Sequence, residues 1–132
     1  MAAGTSSEAL VSLKDLYRTF ASITGAQIPE GAAVDSVDML PVLRGGEGTR
    51  ECMVHESISG IVSLREGDWK LILGLGGGGL GFKPEEHQPE PGGPTGQLYN
   101  LAEDPGEQRN LFLERPEVVA RMSEKLQAIR TS

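Results

Sequence analysis

Gly74-Leu75-Gly76-Gly77-Gly78-Gly79 has the spacing G-x-G-x-x-G and follows a stretch that reads as a strand. In a dinucleotide site such glycines let the backbone approach a pyrophosphate, and a helix directly afterwards aims its N-terminal amides at the phosphate. Here the chain runs on into Phe82-Lys83-Pro84-Glu85-Glu86, which offers no apolar helical face. The glycines therefore read as a surface loop. His55-Glu56 and Glu85-Glu86-His87 offer two imidazoles and several carboxylates to a metal. A catalytic zinc needs three protein ligands in set geometry, and these groups lie in separate segments. Cys52, the one cysteine, has no sequence-adjacent base and reads as an inert, buried thiol. Ser57 and Ser59 lack the surroundings of an exposed nucleophile elbow. These residues alone assemble no catalytic site and no metal site.

The elements that would position them follow from hydrophobic period. Val62, Leu64, Trp69, Leu71 and Leu73 recur at a spacing of two on either side of Glu66-Gly67-Asp68, the pattern of a hairpin. Gly67 suits the tight turn because it reaches positive φ without steric cost. Trp69, the only tryptophan, reads as a core residue of that hairpin. A lone hairpin is marginal in water, so other segments must cover it. Strands are expected at about 51–57, 61–66, 69–74 and 97–101. On the first of them, Cys52, Val54 and Glu56 share one face, and Met53, His55 and Ser57 the other. Between the last two strands lies a Gly/Pro/Glu-rich loop of roughly twenty residues, a length that points to function or disorder. Ala102-Glu-Asp-Pro-Gly106 reads as a turn in which Gly106 supplies the permissive geometry.

Two helices are expected. Leu13, Leu16, Tyr17, Phe20 and Ile23 form one apolar face over 13–24, with Ser12 and Asp15 as a capping box and Gly25 closing the end. That face reads as core packing. Pro116 at N1, Glu117 in the first turn, and Val119, Met122, Leu126 and Ile129 on one side define a helix over 116–130. Between them, Asp35 or Ser36 is expected to cap one short turn carrying Met39, Leu40 and Leu43, which Pro41 keeps from lengthening.

With 132 residues, 38% of them hydrophobic, the chain is long enough for about one domain. A net charge of −7 argues against nucleic-acid partners, whose phosphates demand basic surface. A single cysteine excludes an internal disulfide. No stretch reaches the length of about 20 apolar residues that a membrane span needs, so no membrane partner is expected. Met1 to Leu10 carry no basic-then-apolar leader, which at face value reads as cytoplasmic.

Taken in order, these segments resemble the C-terminal part of the sulfatase family, the formylglycine-dependent sulfuric-ester hydrolases, and arylsulfatases in particular. The resemblance rests on Asp15-Leu16-Tyr17-x-Thr19, on Asp35-Ser36-x-x-Met39-Leu40-Pro41-x-Leu43-x-Gly45, and on His55-x-Ser57-Ile58-x-Gly60 through Leu64-Arg65-x-Gly67-Asp68-Trp69-Lys70-Leu71. It continues in Leu98-Tyr99-Asn100-Leu101-x-x-Asp104-Pro105-Gly106-Glu107-x-x-Asn110-Leu111 and Pro116-Glu117-Val118. Each piece is degenerate; their order and spacing are specific.

The resemblance implies an α+β fold: a small four-stranded antiparallel sheet with a packed C-terminal helix. A preceding helix would belong to a large α/β domain that this sequence lacks. Residues 1–48 would then be the end of the large domain and 49–132 the C-terminal subdomain. It implies hydrolysis of sulfate esters by the parent enzyme, through a formylglycine made from Cys or Ser in C/S-x-P-x-R and a calcium ion held by Asp and Asn. Neither motif is present: Cys52 is followed by Met53-Val54-His55-Glu56. No catalytic residue and no metal ligand are assigned, and the chain alone is expected to be inactive. His55, Ser57, Gly76, Gly77 and Gly78 are the candidate substrate-binding residues, because in related sulfatases the loop after this hairpin lies near the pocket mouth. The alternative is a stand-alone, non-catalytic interaction module derived from a sulfatase. The substrate would be met through the missing catalytic domain, and an exposed helix 13–24 would drive self-association. Family members are often periplasmic or secreted, so the resemblance leaves the compartment open.

Overall fold

The side-chain alternation along the hairpin decides what the sheet can bury. In the computed structural model, which describes residues 4–81, 83 and 86–131, β1 is Cys52–Glu56, β2 Val62–Glu66, β3 Trp69–Ile72 and β4 Gln97–Asn100. They form one antiparallel sheet in the order β1-β2-β3-β4. With α3, Pro116–Thr131, they make the α+β arrangement expected: a four-stranded antiparallel sheet with a C-terminal helix packed on it.

The register runs Val54↔Leu64↔Leu71↔Leu98 across all four strands. Leu64, Leu71 and Leu98 are fully buried, and Met122 and Leu126 of α3 close over them. The next row on this face, Cys52↔Glu66↔Trp69↔Asn100, lies at the margin. Trp69 is therefore only partly buried and packs against the core from its edge; the tryptophan expected in the core lies at its margin. Cys52, expected to be buried, is half-buried at the same margin. Glu66 anchors α3 to this edge, accepting from Lys125 Nζ at 2.6 Å and from Arg121. Those two cations hold its carboxyl below the ordinary range. Gly67, at φ 54°, makes the two-residue turn between the paired Glu66 and Trp69.

Asn110 ties the approach to α3 onto β4. Its Oδ1 accepts from the Leu98 and Phe112 amides at 3.0 Å each, and its Nδ2 donates to the Gly96 carbonyl at 3.0 Å. Gly96 must stay bare: a Cβ there would lie 2.7 Å from the Ile72 carbonyl oxygen and from the Phe112 ring.

The chain divides into two compact units, residues up to Glu51 and residues from Cys52 onward. In the first, a 3-10 turn, Leu13–Asp15, leads into α1, Leu16–Thr24, and α2 is the single turn Leu40–Leu43. Gly25 ends α1 in the left-handed conformation at φ 72°. The buried side of this helix is polar. Asp15 and Thr19 are fully buried, while Leu13, Tyr17, Phe20 and Ile23 are exposed. The apolar face read as core packing is thus open, because the unit supplies a loop rather than a sheet to pack against.

That loop is organised by Asp15. Its carboxylate accepts from the Ser12 amide at 2.8 Å, the Val37 amide at 2.9 Å and Arg50 Nε at 3.0 Å, and is paired with Arg50 Nη2 as well. Thr19 extends the cluster, donating to the Asp15 carbonyl and accepting from the Met39 amide. The expected cap of α2 is corrected: its N-cap is Met39, with no side-chain capping bond, rather than Asp35 or Ser36. Asp38, just before it, accepts from the Leu40 amide, and the Ser36 hydroxyl accepts from the Arg18 amide.

Burial pushes the Asp15 carboxyl up, but the Arg50, Val37 and Ser12 donors and the Arg50 charge together hold it below the ordinary range. A carboxylate depressed in the folded state contributes stability above its unfolded pKa and loses it as pH falls towards the native value. Acidification through the carboxylate range should therefore loosen residues 12–50, read as rising amide exchange at Val37 and Met39. Asp15→Ala should cost about 3–5 kcal/mol, since it strands a buried guanidinium. Leu71→Ala should cost about 2–5 kcal/mol in chemical denaturation, the range for a buried leucine.

Candidate functional site

Strand alternation that sends leucines to α3 sends another set of residues to the opposite face. The register there runs His55↔Ser63↔Ile72↔Gln97 and Met53↔Arg65↔Lys70↔Tyr99. This face, opposite the one that α3 covers, holds an open concavity of about 390 Å³. Its walls include His55, Ser57, Lys70, Gln97, Tyr99 and Glu107, together with Gly76, Gly77 and Gly78 of the loop that leaves β3. The structure thus brings all five sequence-predicted residues, His55, Ser57, Gly76, Gly77 and Gly78, to one cavity wall.

Each is held differently. His55 is exposed near the end of β1. Ser57 lies one residue beyond β1, in the turn to β2, where its Oγ accepts from the Ile61 amide at 3.0 Å. Gly78 is buried against it: a Cβ at Gly78 would sit 2.8 Å from Ser57 Oγ, and its φ of 61° disfavours a side chain besides. Gly76, at φ 78°, is half-buried, and Gly77 is exposed.

Sequence reasoning missed the polar floor. Lys70 Nζ donates to Glu107 Oε1 at 2.6 Å. Tyr99 is 6% exposed and its hydroxyl donates to Gln97 Oε1 at 2.8 Å. Burial, then the nearby charges of Glu107 and Asp104, push the Tyr99 phenol up. Glu107 has φ 54°, so the left-handed residue of the 104–107 turn is a glutamate and not Gly106 as expected. A non-glycine residue there costs roughly 1–3 kcal/mol, and its salt bridge to Lys70 offsets part of that. The signal for Lys70 was present, a cation between the inward-facing Trp69 and Leu71; Glu107 had none, because only the fold brings it across to β3.

The metal and nucleotide readings fare differently. His55 and His87 line separate concavities, Glu86 is engaged with Lys83, and Glu85 lies outside the described residues. Among the described residues no three His, Cys, Asp or Glu side chains come together to hold a metal. The carboxylates do not fit a calcium site, which takes six to eight oxygens: Asp15, Glu66 and Glu107 each face a cation. Among the described residues no α-helix begins directly after Gly74–Gly79, the next being α3 beyond β4, and none of the described helices is long and apolar enough to cross a membrane.

No family model matches the chain. Among curated proteins it is 31% identical over 125 residues to an N-acetylgalactosamine-6-O-sulfatase of Bacteroides thetaiotaomicron, which covers 94% of this chain and 24% of that protein. It is 32% identical to arylsulfatase A of Bos taurus, covering 92% of this chain and 25% of that one. A solved structure concerned with glycosaminoglycan metabolism by Bacteroides thetaiotaomicron matches 89% of the chain with a TM-score of 0.67 at 28% identity. A protein solved with its substrate, D-glucosamine-2-N,6-O-disulfate, shares the fold at a TM-score of 0.57 and 18% identity. The chain spans about a quarter of the length of the curated relatives it matches. It is a member of the sulfatase family, and what it carries is the C-terminal part of the sulfatase fold.

Proposed function

We propose that this chain is the C-terminal portion of a sulfate-ester hydrolase and that its second unit forms one wall of the substrate pocket. The observation that carries this reading is the concavity of about 390 Å³ on the sheet face that α3 leaves free, in a chain similar over nearly its whole length to a sugar sulfatase. His55, Ser57 and Gly76–Gly78 form the rim, and Lys70, Glu107, Gln97 and Tyr99 the floor. Sulfur–oxygen cleavage belongs to the remainder of the enzyme. The sequence has no C/S-x-P-x-R motif for formylglycine, and the described carboxylates form no calcium site. What this chain supplies is positioning, which converts binding energy into orientation of the ester.

The exposed Tyr17, Phe20 and Ile23 face of α1 supports the same reading. Residues 1–48 then belong to the large domain, whose missing sheet would cover that face, and the isolated chain would self-associate through it. A stand-alone module would be expected to cover such a face itself.

Incubated with an aryl sulfate, the purified chain should release no sulfate; turnover would overturn the assignment of chemistry to the missing part. Grafted in place of the matching quarter of the Bacteroides thetaiotaomicron relative, it should restore hydrolysis. In that graft His55→Ala should raise KM roughly tenfold, about 1.4 kcal/mol of lost binding, with the melting temperature unchanged. Unaltered kinetics would remove His55 from the rim.

A further inference from the structure

The loop that leaves β3 is built almost wholly of glycine, and such a segment has the most backbone freedom to lose on ordering. It is nonetheless held at defined points. Gln97 opens β4 opposite Ile72, the last residue of β3, so its side chain lies beside the departing loop. Its Nε2 donates to the Gly74 carbonyl at 2.9 Å and to the Gly76 carbonyl at 3.1 Å. Its Oε1 accepts from the buried Tyr99 hydroxyl at 2.8 Å. Both donors and the acceptor of the amide are engaged, and the orientation is one-way: reversed, the amide oxygen would face two carbonyls. Two residues on, Gly78 rests against Ser57 at a contact that leaves no room for a Cβ.

We propose that Gln97, oriented by Tyr99, is a positioning residue that latches the glycine loop into the pocket rim and so sets which sulfate esters the pocket admits. This rests on the reading of the concavity as part of the substrate pocket. The latch holds the rim at Gly74 and Gly76, and Gly78 against Ser57 holds it on the side of β1. The space between the rim and the Lys70–Glu107 floor is then fixed before substrate arrives. Released, the loop regains its freedom, the mouth widens, and the pocket loses discrimination between compact and bulky esters while the bond cleavage carried by the rest of the enzyme is unaffected.

Gln97→Glu tests this with no change of size. At neutral pH the introduced carboxylate can donate to neither carbonyl. When protonated it can donate to one. In the 132-residue chain, amide exchange over Leu75–Gly79, corrected for intrinsic rates, should quicken roughly tenfold or more at neutral pH, as expected for two lost hydrogen bonds. It should recover in part on acidification, a reversal that a simple packing defect would not show. Tyr99→Phe should give a smaller increase, and Gln127→Glu on the exposed side of α3 none. In the grafted full-length enzyme Gln97→Glu should raise KM for a compact sulfated monosaccharide more than for a bulky aryl sulfate, with kcat held within about twofold. Unchanged exchange in Gln97→Glu would overturn the latch. Faster exchange with an unchanged ranking of the two substrates would overturn its role in selectivity. A graft inactive with Gln97 intact would instead overturn the pocket reading on which that role depends.

Discussion

Leu64, Leu71 and Leu98 meet in one row across three strands, and Met122 and Leu126 of α3 close over them. The rest of the second unit depends on that contact. A four-stranded sheet has two faces, and one amphipathic helix can seal only one of them. Burying the leucine row commits every intervening residue to the opposite face. His55, Ser63, Lys70, Ile72, Gln97 and Tyr99 are therefore gathered by the same period that hides the leucines. The concavity is a consequence of where the core lies, and a one-residue slip of register would exchange the two sets.

The open face carries opposite charges close together. Lys70 and Glu107 pair with one another, burial and then the neighbouring carboxylates push the Tyr99 phenol up, and Gln97 turns its donors on the glycine loop. A wall of this kind offers oriented hydrogen bonds.

The first unit follows a different logic. Its interior is a carboxylate–guanidinium pair, Asp15 with Arg50, supplied with amide donors from Ser12 and Val37. Such a cluster fixes the path of a loop more firmly than it adds net stability, since the desolvation of both ions offsets most of their attraction. The apolar side of α1 is left to solvent. Helical period correctly located that stripe over Leu13, Leu16, Tyr17, Phe20 and Ile23, but period alone does not say which side the chain buries.

The sequence by itself determined the strands, both long helices, the Gly67 turn and, through the order and spacing of degenerate motifs, the sulfatase family. Each of these depends on local period, on a residue's own φ preference, or on a pattern that survives without knowledge of contacts. It also singled out His55, Ser57 and the glycines, which the structure gathers on one wall. Only the tertiary structure decided the rest: that Trp69 sits at the core margin, that Asp15 is buried and Phe20 is not, that Glu107 crosses to Lys70, and that Gln97 reaches the glycine loop. All of these join residues distant in the chain or depend on which face finds a partner, and such pairings are selected by packing and hydrogen-bond satisfaction over the whole unit, which no local window of sequence contains.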